Sequence, residues 1–224
     1  SFVASDFSPI TEPSVGMGVD ADCVGLWHFD GSLNSHKGVA ADSDALFGGG
    51  CFGQALNVAT GKRLKAPTTG MLANKGTINF RAKNLSASAN GSVLVDLPKS
   101  DNTQGIVAGI ASDGKLYIKG TTTTTAYGPN KSTLTAWDSI SLAWKPERLS
   151  LVVNDEEACY IENPGLPASL GSHIFIGTDR NGANAINTLV DELRIDKVYR
   201  EVNIRIAWHK TGVPFYTSED MKQW

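Results

Sequence analysis

Short β-like segments follow one another through most of this chain, and almost nowhere between them does an apolar residue recur at helical spacing. The segments fall at 24–29, 53–58, 77–82, 92–97, 106–111, 115–119, 140–144, 149–153, 158–161, 173–177 and 187–195, several of them bounded by Gly, Asn, Asp or Pro. Within 140–144 the large residues Ile140, Leu142 and Trp144 alternate with small ones, which puts them on one buried face of a strand. Two hairpin turns are signalled, Ser112-Asp113-Gly114 and Asn154-Asp155. Many short strands of this kind bury their apolar faces most economically as two antiparallel sheets packed face to face, so the expected fold is all-β, a sandwich or jelly roll.

Composition agrees with that reading. Gly makes up 23 of 224 residues and charged residues only 19%, which suits many turns and excludes long helical bundles. With 20 Lys+Arg against 23 Asp+Glu, a net charge of -3 and no basic block, nucleic acid is excluded as a partner class. No stretch reaches the roughly 20 apolar residues that cross a bilayer, so no membrane insertion is expected, and no signal peptide is visible at the start. Cys23, Cys51 and Cys159 are odd in number and lack C-x-x-C spacing, which favours three reduced, mostly buried thiols.

Residues 1–20 carry Pro9, Pro13, Gly16 and Gly18 among polar residues and read as an arm or linker, followed by the β domain over 21–199. Beyond it, over 200–224, Val202, Ile206 and His209 share a helical stripe that Gly212 and Pro214 terminate, so a short helix is expected over about 200–210, with an aromatic tail of Phe215, Tyr216 and Trp224.

Gly25-Leu26-Trp27-His28-Phe29-Asp30-Gly31-Ser32 and then Cys51-Phe52-Gly53-Gln54-Ala55-Leu56 resemble the opening of the laminin-G-like, concanavalin-like jelly-roll family. Gly76-Thr77-Ile78-Asn79-Phe80, the stretch from Trp137 to Trp144, and Val190-Asp191-Glu192-Leu193-Arg194-Ile195-Asp196 resemble its third, central and closing strands. Leu149 to Asn154 stands where the family usually ends a strand at Asn-Gly, with Asp155 here in place of the Gly. The final stretch, with Ile204-Arg205, Trp208 and Gly212-Val213-Pro214-Phe215-Tyr216, resembles tails that follow such domains in bacteriophage structural and tail proteins. The resemblance implies a lectin-like jelly roll in a virion, an extracellular particle.

Enzymes of the concanavalin-like class that retain configuration place two carboxylates about 5 Å apart on one strand face. No Glu-x-Asp-x-x-Glu or Glu-x-Asp-x-Glu exists here, the four His residues lack metal-ligand spacing, and there is no Gly-x-Ser-x-Gly. Strict alternation puts Asp191 on the apolar face with Leu189, Leu193 and Ile195, where a charge needs a partner. Either a structural Ca²⁺ is held by Asp191 together with Asp30 and backbone carbonyls, or the Asp191 carboxylate is satisfied by backbone N–H groups. Asp196, at the end of the same segment, is expected to face water. Two loops have the composition of a sugar site: Thr121 to Thr125 with Tyr127 and Asn130, and Asp179-Arg180-Asn181-Gly182 with Asn184. Each has a plainer reading, an edge strand or solvated loop for the first and a self-bonded Asn-Gly turn for the second. Trp27, Trp137 and Trp144 lie inside strand patterns and are expected in the core.

The sequence thus points to a non-catalytic, carbohydrate-binding module of a bacteriophage tail or decoration protein, with host-surface glycan as partner. Its alternatives are a purely structural virion protein contacting other virion proteins, homo-oligomeric copies included, and, last, a glycoside hydrolase.

Overall fold

The computed structural model describes residues 17–83, 91–131 and 136–200. Fifteen strands occur among them: β1 (Cys23–Trp27), β2 (Asp42–Ser43), β3 (Leu46–Gly49), β4 (Gln54–Val58), β5 (Leu64–Pro67), β6 (Gly76–Lys83), β7 (Ser92–Leu97) and β8 (Ile106–Ile110). β9 (Lys115–Lys119), β10 (Thr125–Asn130), β11 (Asp138–Lys145), β12 (Arg148–Val153), β13 (Glu156–Glu162), β14 (His173–Ile176) and β15 (Thr188–Asp196) complete the series. The fold is an all-β jelly-roll sandwich of two antiparallel sheets. One runs β13-β12-β11-β6-β15-β4-β3 with β1 also on β15, and the other runs β10-β9-β8-β7-β14-β5-β2. The helix expected over 200–210, the tail after it and residues 1–16 of the arm lie outside the described residues. Met17 to Asp20, placed in the arm by composition, instead bond to the sandwich: Met17 N donates to Glu192 Oε2, and Gly18 O accepts from Arg194 Nη1.

Period-2 alternation decides which side chains fill the space between the sheets. In β9, Leu116 and Ile118 point inward and are fully buried, which leaves Lys115, Tyr117 and Lys119 on the outer face. From the facing sheet Ile78, Phe80, Ile140, Leu142 and Trp144 meet them in one core. Trp27 and Trp144 are core residues as expected, each donating its indole N–H to a carbonyl, of Val39 and Leu72. A Cβ at Gly76 would lie 2.4 Å from the Trp144 ring, so only glycine leaves room for that indole. Trp137 differs: it is half-buried and stands outside the core. All three thiols are unpaired, two of them buried, and burial pushes Cys159 up to about 12.

β15 is where strict alternation fails. A register shift separates Asp191 from Arg194, and Glu192 adopts a left-handed φ of 53°. Val190 faces the core before this bulge, and Leu193 and Ile195 face it afterwards. Asp191 therefore does not share the face of Leu193 and Ile195; it lies outside the core and is buried by the turn between β3 and β4. Asp196, expected in water, is also fully buried. Arg194 and Arg200 enclose its carboxylate at 2.7 and 2.8 Å, and both reach Asp20 as well. The Arg194 guanidinium holds the Asp20 carboxyl well below the usual carboxylate range.

Candidate functional site

The outer face of the seven-stranded sheet carries a trough of about 260 Å³ that spans β7 to β10. Its floor is set by one register row: Tyr127 of β10 pairs with Tyr117 of β9, which pairs with Gly109 of β8. A Cβ on Gly109 would fall 2.7 Å from the Tyr117 ring and 2.2 Å from the Ser92 carbonyl oxygen. Glycine at this place lets the Tyr117 ring lie across the neighbouring strand, forming a flat aromatic base. Tyr127 is 60% exposed beside it, on the edge strand of its sheet, a place that tolerates Pro129. The Lys119 amine stands 5.5 Å from the Tyr117 ring centre, and Val93, Ser112 and Asn184 close the sides. Burial pushes the Tyr117 hydroxyl up to about 12, with Asp96, Tyr127 and Asp179 adding to it, so it remains a neutral donor at physiological pH.

Two further hollows adjoin this trough. One, of about 450 Å³, shares Lys119 and is walled by Thr121, Thr122, Thr123 and Thr125 with Gln104 and Lys99. Another, of about 170 Å³, shares Lys99 and reaches Ser100, Asn102, His173 and Phe175. Among the described residues no carboxylate lines any of the three.

The structure brings together parts of both loops singled out in the sequence. Tyr127 comes from one side of the trough and Asn184 from the other, while the threonine run walls the adjoining hollow. Asn130 lines neither and donates to the Asp113 carbonyl oxygen, tying β10 to the 112–114 turn. Asp179 works from behind: its Oδ1 accepts from the backbone N–H of Asn181 and Ala183, and its Oδ2 accepts from Asn184 Nδ2 at 2.8 Å. Asn181 is exposed and lines none of the three hollows. Arg180 is turned inward, its backbone N–H and guanidinium on the buried Asp96 carboxylate at 2.8–2.9 Å. Burial raises the Asp96 carboxyl while Arg180 opposes that rise. The plainer reading of the 179–182 loop, a self-bonded turn, describes these bonds, and its contribution to the trough is Asn184. Tyr117 and Lys119 were not singled out in the sequence, although their alternation with Leu116 and Ile118 marks them as outward-facing.

Asp30 and Asp191 meet at one turn. Asp191 Oδ2 accepts from Cys51 N and Phe52 N at 2.8 and 3.1 Å, and its Oδ1 accepts from Glu192 N. Asp30 Oδ1 accepts from Gln54 N at 2.8 Å. Both Asp191 oxygens and Asp30 Oδ1 are spent on backbone donors, and among the described residues no three His, Cys, Asp or Glu side chains converge as metal ligands. These residues do not fit a calcium site. Next to them Glu192 receives His28 Nδ1 at 2.8 Å, so each buried carboxylate on this sheet has an internal partner.

No protein-family model matches the chain, and no curated protein sequence is similar to it. Its fold is shared by solved structures. Domain 4 of AbnA, an extracellular GH43 arabinanase from Geobacillus stearothermophilus, solved in complex with arabinotriose, superposes with a TM-score of 0.63 at 14% identity over 81% of this chain and 95% of that one. The botulinum neurotoxin serotype C1 binding domain gives 0.61 at 11% identity, over 82% of this chain and 50% of that one. Trypanosoma rangeli sialidase, in complex with the inhibitor DANA, gives 0.62 at 12% identity, over 81% of this chain and 32% of that one. The chain thus spans about half of the toxin chain and a third of the sialidase, and at these identities the likeness shows a common jelly-roll fold.

Proposed function

We propose that this protein is a non-catalytic carbohydrate-binding module whose site is the Tyr117–Tyr127 trough. The observation that carries the reading is the aromatic base itself: two tyrosines side by side on an outer sheet face, one lying over a glycine, with hydroxyl, amide and amine groups around them. Sugar rings present apolar C–H faces and hydroxyl edges, and flat aromatic surfaces rimmed by polar groups bind both. Structures of the same fold solved with arabinotriose and with sialylT lend support. The non-catalytic part rests on the carboxylates. Among the described residues Asp96, Asp138, Asp191, Glu192 and Asp196 are the buried ones, each is engaged internally, and no described carboxylate lines the trough to serve as the acid or nucleophile of a glycosidase.

Residues 201–216 resemble tails that follow such domains in bacteriophage structural and tail proteins, and on that ground we propose a virion setting in which the module faces a glycan of the host surface. A glycan array probed with the purified chain tests the site. Tyr127→Ala and Tyr117→Ala should each weaken the sugars that bind by about tenfold or more, equivalent to ~1.4 kcal/mol. An array with no binder, and copies that instead assemble with other virion proteins, would favour the structural role.

A further inference from the structure

Resting on that glycan-binding reading, we infer that the ligand is an acidic oligosaccharide of several units, carrying carboxylate or sulfate groups, laid along the three linked hollows with Lys119 and Lys99 as its charge contacts. Three observations point this way.

The hollows adjoin one another in series. Lys119 belongs to both the first and the second, and Lys99 to both the second and the third. Singly, the first and third, at about 260 and 170 Å³, fall below the roughly 300–1,000 Å³ of ordinary ligand sites, whereas the second, at about 450 Å³, falls within that range. The first hollow alone crosses from β7 to β10, three strand spacings or roughly 14 Å, which exceeds one sugar ring.

The charge is one-sided. In a chain with a net charge of -3, the described residues that line the band include two lysines and no carboxylate. Asp101, beside Lys99, is committed to Thr103 N and Thr103 Oγ1 at 2.9 and 2.6 Å and does not enter the lining.

The Asp101 carboxyl feels the Lys99 charge but forms no ion pair with it, and Lys119 stands over the Tyr117 ring. Both lysines are half-buried, and among the described residues neither stands in an ion pair, whereas Lys65, Lys115, Arg148, Arg180, Arg194 and Arg200 all do. An ammonium outside any ion pair keeps N–H donors to give to an anion in the groove. Threonine hydroxyls between the two amines supply donors and acceptors for the sugar hydroxyls in between.

The experiment is calorimetric titration of the full chain with two probe series, each graded from one to six units: neutral malto-oligosaccharides and oligogalacturonides, with a heparin hexasaccharide as the sulfated probe. The acidic probes should bind, tighten with length to about four units, and weaken several-fold between 50 and 300 mM NaCl. Lys119→Ala and Lys99→Ala, whose folding is checked by thermal melts, should each weaken the acidic hexamer about tenfold while Lys62→Ala leaves it unchanged. Binding of the neutral series alone, or acidic binding that ignores salt and both lysine variants, overturns this inference and leaves the glycan reading standing. Equal affinity for one unit and six overturns the extended ligand. Failure of both series together with an empty glycan array overturns both readings.

Discussion

Asp191 shows how one residue's surroundings can set a pH response. Its ordinary pKa is 3.8, and burial pushes it up to about 6 against the pull of the N–H groups of Phe52, Cys51 and Glu192. Between those values the folded chain keeps a proton that the unfolded chain has lost. The resulting stability is fully present below about pH 4 and is lost as pH rises through about 6. Asp20 behaves oppositely: its carboxyl is held low by Arg194, so its contribution is present above the unfolded value and disappears in acid. We therefore expect the unfolding free energy of the wild type, minus that of Asp191→Asn, to fall by roughly 2–3 kcal/mol from pH 4 to pH 6.5 in urea titrations. A flat difference would mean that the carboxylate is ionised in the fold throughout this range.

At the scale of elements, the turn between β12 and β13 offers a clean test. Asn154 and Asp155 both adopt left-handed backbone, with φ of 53° and 65°. Asn154 also accepts from Ser139 N and donates to Asp138, so it cannot be replaced without loss. At the second position a side chain only adds strain, and Asp155→Gly should raise stability by about 0.5–1 kcal/mol, read as a melting temperature higher by a few degrees. β7 and β9 were legible in the sequence to the residue, because each is a buried or alternating run between turn residues. β2, β3 and β5 were not. They are two to four residues long, and β3, Leu-Phe-Gly-Gly at a sheet edge, buries none of its residues fully and so shows no alternation. β10 surfaced only as one reading of the threonine run, since its Gly128 and Pro129 look like a loop. The closing strand was legible in place but not in register, because a bulge adds a residue that period-2 counting cannot anticipate. The site was half-legible for a similar reason. Tyr127 and Asn184 stood out in loops, whereas Tyr117 gains its role from Gly109, a partner eight residues away that only the pairing reveals.

For the whole molecule, the sandwich separates its two outer faces. The trough belongs to the seven-stranded sheet, while Arg194 and Asp196 belong to the outer side of the other. On that other side Asp20 and Arg200 touch at 2.8 Å. A circular permutant that joins residues 20 and 200 through a short Gly-Ser linker and opens between Asn154 and Asp155 should fold and bind the same sugars, since no strand is cut. Retained circular dichroism and an unchanged array profile would check it. Contact between positions so far apart in sequence has a mechanical meaning too. Residues 20 and 200 sit together at one spot on the sandwich, so force applied at both would enter the body at a single place. Tension between those two residues would load the Asp20, Arg194, Asp196 and Arg200 clasp before any strand in the trough.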